Sequence, residues 1–168
     1  MLTIRCYYPS DAVELLELFR RTIRSIDVVD YDPMQIVAWA SDDMDVNPWR
    51  ERFSGRFAYV GMTDGRTVGF IDMATNGHLD RLFVSAEHQR QGIGRALLAR
   101  LRSDASEAGI ARMFTDASIT AKPFFEAAGF TVVREQSVEC RGVELINYRM
   151  ARAVDKPCVA PKPRSRVV

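Results

Sequence analysis

The chain has 168 residues, 47% of them hydrophobic and 27% charged, with a formal net charge of +1. That length fits one domain, large enough to build a core without disulfide or metal staples. The composition is too apolar and too nearly neutral for disorder, and no apolar run reaches the ~18 residues of a membrane span. A pI near 7.7 leaves no overall basic footprint for nucleic acid. The opening MLTIRCYYPSD is charged from Arg5 and lacks the apolar core of a secretion signal. Cys6, Cys140 and Cys158 show no CxxC spacing, so they are expected to be reduced thiols in a cytoplasmic protein. His78 and His88 are too few and too far apart for a metal site, and no metal is expected.

In chain order, residues 2–7 read as a strand, and Pro9-Ser10-Asp11 ends it and offers a helix cap. Val13, Leu15, Leu16, Leu18, Phe19 and Ile23 recur at helical spacing, predicting an amphipathic helix over 11–25. Asp32-Pro33 predicts a cap and first-turn proline for a short helix ending at Trp39. Asn47-Pro48 repeats that signal for a helix near 48–53. Residues 57–62 and 67–74 read as strands joined by the turn Thr63–Arg66. Asn76-Gly77 then turns the chain into a strand over 78–84. A long helix follows the segment SAEHQRQGIG and ends at Gly109. A strand over 111–116, a helix from about 120 to 128 closed by Gly129, and strands over 130–140 and 143–151 complete the order. This predicts an α+β, or mixed α/β, domain over 1–151 with one central sheet. The remainder, 152–168, is rich in proline and basic residues and reads as a flexible tail.

The segment His78–Leu98 carries the chemical information: a strand, a loop, two glycines and a helix start. A helix start presents unpaired N–H groups and a partial positive charge. Gly92 and Gly94 let an anion approach the backbone, and Arg90 and Arg95 add charge, so the segment suits a pyrophosphate. A dinucleotide fingerprint fails because Leu97 stands where a third small residue is needed and the first glycine lies too far from the strand. An NTPase phosphate loop fails because Arg95-Ala96 replaces Lys-Ser/Thr.

Gln89-Arg90-Gln91-Gly92-Ile93-Gly94 resembles the Q/R-x-x-G-x-G/A signature of the GNAT superfamily of acyl-CoA-dependent N-acetyltransferases. Leu82-Phe83-Val84 is similar to the family's strand before the loop, and AKPFFEAAGF, residues 121–130, to its late helix and closing Gly-Phe. The resemblance covers about 2–151. It implies a mostly antiparallel, twisted sheet of six to seven strands flanked by helices, with a splay between the strands at 78–84 and 111–116. It also implies acetyl-CoA as cosubstrate. The pyrophosphate would lie on backbone N–H groups from Arg90 through Ala96, with Gln89, Gln91, Gly92, Ile93, Gly94 and Arg95 among the residues around it. The pantetheine arm would pair with Leu82, Phe83 and Val84, and an N–H near Val84 would polarise the thioester carbonyl. Many relatives are dimers, so a homodimer is a family expectation.

The chemistry requires a base to take a proton from the amine. Asp80 is the preferred candidate, because Asp80 and His78 share a strand face and the family often places an acid on this strand. Pairing of Asp80 with a surface arginine is the competing structural explanation. The family's tyrosine four residues before the glycine is replaced by Phe125, which can pack against the CoA arm but cannot donate a proton. Tyr148 and Ser118 are the fallback acids, against simpler roles as a strand aromatic and a helix cap. Cys140 reads as packed rather than reactive.

Family members differ most between the first helix and second strand. Here Ser25–Trp49 holds Asp27, Asp30, Asp32, Asp42, Asp43 and Asp45, no Lys or Arg, and Tyr31, Trp39 and Trp49. Those aromatics beside carboxylates are candidate contacts for a cationic or aromatic amine. Solvated aspartates and core tryptophans are the alternative. The leading expectation is acetyl transfer to a small-molecule primary amine. A protein lysine or N-terminus as acceptor, and a non-catalytic acyl-CoA-binding module, are the alternatives. No nucleic-acid or membrane partner is expected.

Overall fold

The computed structural model describes residues 1–155. β1 (Leu2–Cys6) leads through a single 3-10 turn at Pro9–Asp11 into α1 (Ala12–Arg24), followed by α2 (Pro33–Trp39) and α3 (Val46–Glu51). β2 (Phe57–Thr63), β3 (Arg66–Met73) and β4 (His78–Val84) run consecutively, and α4 (Ile93–Glu107) comes next. β5 (Arg112–Ser118), α5 (Lys122–Ala127), β6 (Thr131–Cys140) and β7 (Val143–Ala153) close the fold. The strands form one seven-stranded sheet in the order β1-β2-β3-β4-β5-β7-β6. Every neighbouring pair is antiparallel except β4–β5.

Local signals explain most element boundaries. Asp32 accepts the Gln35 backbone N–H at 2.9 Å while the Gln35 side chain accepts the Asp32 N–H at 2.9 Å, a reciprocal cap with Pro33 in the first turn. The third helix differs from expectation at its start. Asp45, not Asn47, caps it, its carboxylate accepting the Asn47 N–H at 2.9 Å. β7 also runs two residues beyond the expected 151. Past it, the Val154 N–H bonds the Ala111 carbonyl and Asp155 pairs with Arg102 at 2.7 Å. The rest of the proposed tail, including Cys158, lies outside the described residues.

Each face of the sheet carries its own core. On one, Ile71, Met73, Leu79, Leu97, Leu101, Met113 and Met150 are fully buried beneath α4, with Phe125 from α5 beside them. On the other, Leu15, Leu18, Phe19 and Ile23 of α1 meet Trp49, Phe53 and Phe70. The two layers hold the β3–β4 half of the sheet between helices, so β4 enters the centre of the molecule with both its faces covered.

Candidate active site

β4 and β5 pair only at His78↔Phe114 and Leu79↔Thr115. Beyond that point the two strands diverge, although β4 stays paired to β3 through Val84 and β5 to β7 through Ser118. The sheet therefore opens as a V at its centre. The backbone of residues 80–84 has no strand on its β5 side, so its edge groups are free to pair with an extended ligand.

A bulge lies at the apex of the V. Asp72 pairs with Arg81 and Met73 with Leu79, which leaves Asp80 as the extra residue on β4. The bulge turns Asp80 and Arg81 to the same side. Leu79 packs under α4, whereas Arg81 lies over the Phe53 ring at 4.0 Å and the Trp49 ring at 5.0 Å. Arg81 is 4% exposed and binds the fully buried Asp72 through Nε at 2.7 Å and Nη2 at 3.0 Å. Arg56 adds a bond to Asp72 Oδ2 at 2.5 Å. With both charges paired and hydrogen-bonded, this cluster holds the bulge in place.

Asp80 is partly exposed. Its Oδ2 accepts from Arg52 Nη2 at 3.2 Å, with Arg81 Nε at 3.7 Å and Arg56 Nη2 at 3.8 Å. The surface-arginine pairing weighed from the sequence is thus present, and it occupies one carboxylate oxygen only. His78 shares this side of the sheet. Its ring stacks on Phe114 at 4.9 Å, and Nε2 lies 3.9 Å from Asp116 Oδ2.

Asp116 stands on β5 just past the point of divergence. Arg149 of β7 holds it with two bonds, from Nε at 2.5 Å and Nη2 at 2.8 Å, and Gln136 Nε2 donates at 2.7 Å. Burial disfavours the charged carboxylate, but the Arg149 bonds and charge, with Gln136 and His78, outweigh it and hold its pKa below the ordinary value. The same pairing raises the Arg149 pKa. Asp116 was missed from the sequence. Its place two residues after Phe114 and two before Ser118 on one strand face was the available signal.

On the α4 side, Gln89 Nε2 donates to the Val84 carbonyl at 3.1 Å, and Gln91 Nε2 to the Glu87 carbonyl at 3.2 Å. These bonds fold the loop between β4 and α4. Arg90 and Gly92 both have positive φ, +64° and +84°. Gly92 is the helix N-cap, with Ile93 buried behind it. The first intrahelical bond runs from the Ala96 N–H to the Gly92 carbonyl, so the N–H groups of Ile93, Gly94 and Arg95 have no partner within the helix. A Cβ on Gly92 would meet nothing within 4 Å, so the backbone there faces open space. At Gly94 a Cβ would reach Phe124 Cε2 at 3.3 Å, which records how closely α5 approaches the helix start. Between α4 and α5 lies a cavity of about 360 Å³ lined by Arg95, Leu98, Arg102, Phe124, Ala127 and Arg152, among others. Only Arg95 of that set was read from the sequence.

Several expected site residues turn out to be structural. Phe125 is 3% exposed, edge-on to Phe124 and Phe130, and belongs to the core; its neighbour Phe124 is the one that reaches the cavity. The Tyr31 hydroxyl donates to the Ile146 carbonyl at 2.7 Å and accepts from the Ile119 N–H at 2.9 Å. Tyr31 therefore ties the α1–α2 segment to β7 and the end of β5 rather than facing a substrate. Trp49 is buried against Phe19 and Phe53. Trp39, half-buried, packs edge-on to Tyr31. The aspartates of this segment are dispersed: Asp32 and Asp45 cap helices, Asp42 pairs with Arg24 at 2.5 Å, and Asp30 accepts from the Thr120 hydroxyl. They do not form one acidic wall. Ser118 Oγ accepts the Ala121 N–H at 3.0 Å at the start of α5. Tyr148 has Lys122 Nζ over its ring at 5.1 Å, and the neighbouring Glu135 raises its pKa. Cys140 Sγ contacts the Ala38 carbonyl.

A central V beside a glycine-softened helix start is the arrangement that the sequence resemblance implied. Residues 27–152 match the family model described as "Acetyltransferase (GNAT) domain". The chain belongs to the GNAT acetyltransferase family. It is 39% identical over 149 residues to the Escherichia coli (strain K12) protein named uncharacterized N-acetyltransferase YafP, spanning 89% of this chain and 94% of that one. A GCN5-related N-acetyltransferase structure from Rhodopseudomonas palustris superposes with a TM-score of 0.86 at 28% identity, over 90% of this chain and 94% of that one. The fold is also that of yncA from Salmonella typhimurium, a putative acetyltransferase solved with acetyl-CoA. Its TM-score is 0.68 at 20% identity, with 97% and 99% of the two chains covered. As a GNAT family member the chain is an N-acetyltransferase, and no helix among its described residues is long and apolar enough to cross a membrane.

Proposed function

We propose that this GNAT protein transfers the acetyl group of acetyl-CoA to a primary amine of a small molecule, by direct attack in a ternary complex. The observation that carries this reading is the V between β4 and β5, with the free N–H groups of α4 beside its mouth and Asp80 and the His78–Asp116 pair at its apex. Acetyl-CoA is the donor. Its pyrophosphate lies on the Ile93–Arg95 N–H groups with Arg90 and Arg95 nearby, and its pantetheine arm follows residues 82–84. The adenosine end extends toward the Arg95–Arg102–Arg152 cavity, where three guanidiniums line an apolar floor.

The amine nitrogen attacks the thioester carbonyl, the carbon–sulfur bond breaks and CoA leaves as the thiolate, while the nitrogen sheds its second proton, to the departing sulfur or to solvent, as the amide forms. Before attack the ammonium must lose a proton. Asp80 receives it through Oδ1, the oxygen without a protein partner among the described residues. An N–H of the free β4 edge near Val84 faces the developing oxyanion. Tyr148 and Ser118 are the candidates to protonate the thiolate. Phe125 has no proton to give, and Glu135 raises the Tyr148 pKa, which keeps that hydroxyl protonated. Ser118 is the other hydroxyl, and its proton is free because its oxygen is the acceptor for Ala121.

A second base is supported by the contact between His78 Nε2 and Asp116. Activity at fixed pH separates the two. With Asp80 as base, Asp80→Asn lowers kcat/KM by about 10²–10⁴-fold and His78→Gln does not. The reverse pattern assigns the proton to His78. If neither variant loses activity, neither residue is the base.

A further inference from the structure

Guanidiniums outnumber carboxylates around the apex of the V, in contrast to the aspartate-rich 25–49 segment, with Arg81 and Asp72 buried beneath it. Two ion-pair networks line it. One joins Arg52, Arg56 and Arg81 to Asp72 and Asp80; the other joins Arg149 to Asp116 and continues through Gln136 to Arg134. Five guanidiniums thus face three carboxylates.

The excess is concentrated at one place. Arg134 of β6 stands directly opposite Arg149 of β7 in the register. Like charges in that position repel and weaken a sheet. Only Asp116 offsets them, and both of its oxygens are already taken by Arg149. Arg134 is exposed and spends Nε on the neutral Gln136 Oε1 at 3.1 Å. Its terminal nitrogens, and Nη1 of Arg149, have no protein acceptor among the described residues. Arg149 is also held rigidly, with its guanidinium over the Phe114 ring at 5.2 Å. A paired, stacked and partly free guanidinium beside a second one is suited to a planar or tetrahedral anion.

This anion site adjoins the reacting centre. Asp116 Oδ2 lies 2.8 Å from Arg149 Nη2 and 3.9 Å from His78 Nε2. One small molecule can therefore touch the guanidinium and the His78–Asp80 end of β4 together. Arg134 is exposed and Arg149 partly so. Tyr31, Gln35 and Ala38 of the α1–α2 segment bond to Ile146, Glu144 and Arg141 at the far end of the β6–β7 hairpin, away from Arg149 and Arg134.

We propose that the acceptor is a small amine that also carries an anionic group, a carboxylate or a phosphoryl group. Arg149 and Arg134 hold that anion while the amine points to the apex of the V. The proposal rests on the acetyl-transfer reading for its second half only, since the anion site is defined by the arginines themselves.

The test uses matched pairs with the full-length protein: β-alanine and γ-aminobutyrate against their amides, and aminoethylphosphonate against ethanolamine. CoA release gives kcat/KM, and ligand-observed NMR on the CoA-loaded protein gives binding independently. Anionic members are expected to exceed their neutral partners by about tenfold or more in both readouts. Arg134→Gln, on an exposed side chain bonded only to Gln136, is expected to fold and to remove most of that preference through KM. Arg134→Lys is expected to restore part of it. Binding of anionic amines that depends on Arg134, without any turnover, upholds the anion site and defeats the transfer reading. Equal or better use of the neutral partners, or a preference that survives Arg134→Gln unchanged, overturns the proposal while acetyl transfer stands.

Discussion

Replacing Gly92 with alanine tests the helix start as an anion cradle, and Gly65 provides its internal control. Both glycines have positive φ, +84° and +75°, and a Cβ at either meets nothing within 4 Å. The steric cost of placing an L-residue in that backbone region is therefore common to the two, about 1–2 kcal/mol. For a chain of this size that lowers Tm by roughly 2–8 °C. Gly65 sits in the β2–β3 turn, outside α4 and its loop, whereas Gly92 caps α4 where its unpaired N–H groups begin. Losing one charge-assisted bond to a phosphate costs about 1.5–3 kcal/mol, or roughly a ten- to hundredfold weaker Kd. Calorimetric titration of acetyl-CoA into both variants, beside their melting curves, makes the comparison. Similar Tm losses with weakened binding in Gly92→Ala alone are expected. Wild-type affinity in Gly92→Ala, or equal weakening in both variants, would refute the cradle.

Tyr31→Phe leaves the Ile146 carbonyl and the Ile119 N–H without their partner, and denaturant titration should show a loss of about 1–3 kcal/mol or more. Trp49→Ala removes a buried ring that supports Phe19, Phe53 and Arg81; the same titration should show about 3–5 kcal/mol. Asp116 is ionised at a pKa below its unfolded value, so its contribution is complete above the unfolded pKa, about 3.9, and disappears as pH falls through the lower folded value. The stability gap between the wild type and Asp116→Asn should be constant above about pH 5 and shrink below pH 4; a gap independent of pH would contradict the ion pair. Phe125→Tyr places a hydroxyl among buried apolar rings, and kcat should not rise if the thiolate needs no acid from that position; a clear rise at unchanged fold would contradict that.

The element order was legible because its signals are local. The capping box at Asp32, the proline at 33 and the apolar spacing of 12–24 require no knowledge of the rest of the chain. The loop at Gln89–Gly94 was legible for the same reason, since a helix start and its glycines are consecutive. The acceptor side was not. Asp116, Gln136, Arg149 and Arg134 lie on three strands and meet only through the β5–β7–β6 register. The segment that looked acidic in sequence turned out to spend its carboxylates on caps and ion pairs, because short helices need N-caps and Arg24 needs a partner. Tyr31 and Trp49 misled for a related reason: an aromatic beside aspartates in sequence carries no information on which way its ring points. The bulge at Asp80 is likewise invisible locally, arising from how β3 and β4 pair around the buried Asp72–Arg81 contact.

The decisive experiment titrates acetyl-CoA into the purified protein and then follows CoA release across a panel of amines. Saturable binding, weakened in Gly92→Ala, is expected, with turnover of at least one small primary amine to a stoichiometric N-acetyl product. Absence of acetyl-CoA binding in the wild-type protein would contradict the role assigned to the V between β4 and β5 and to the start of α4.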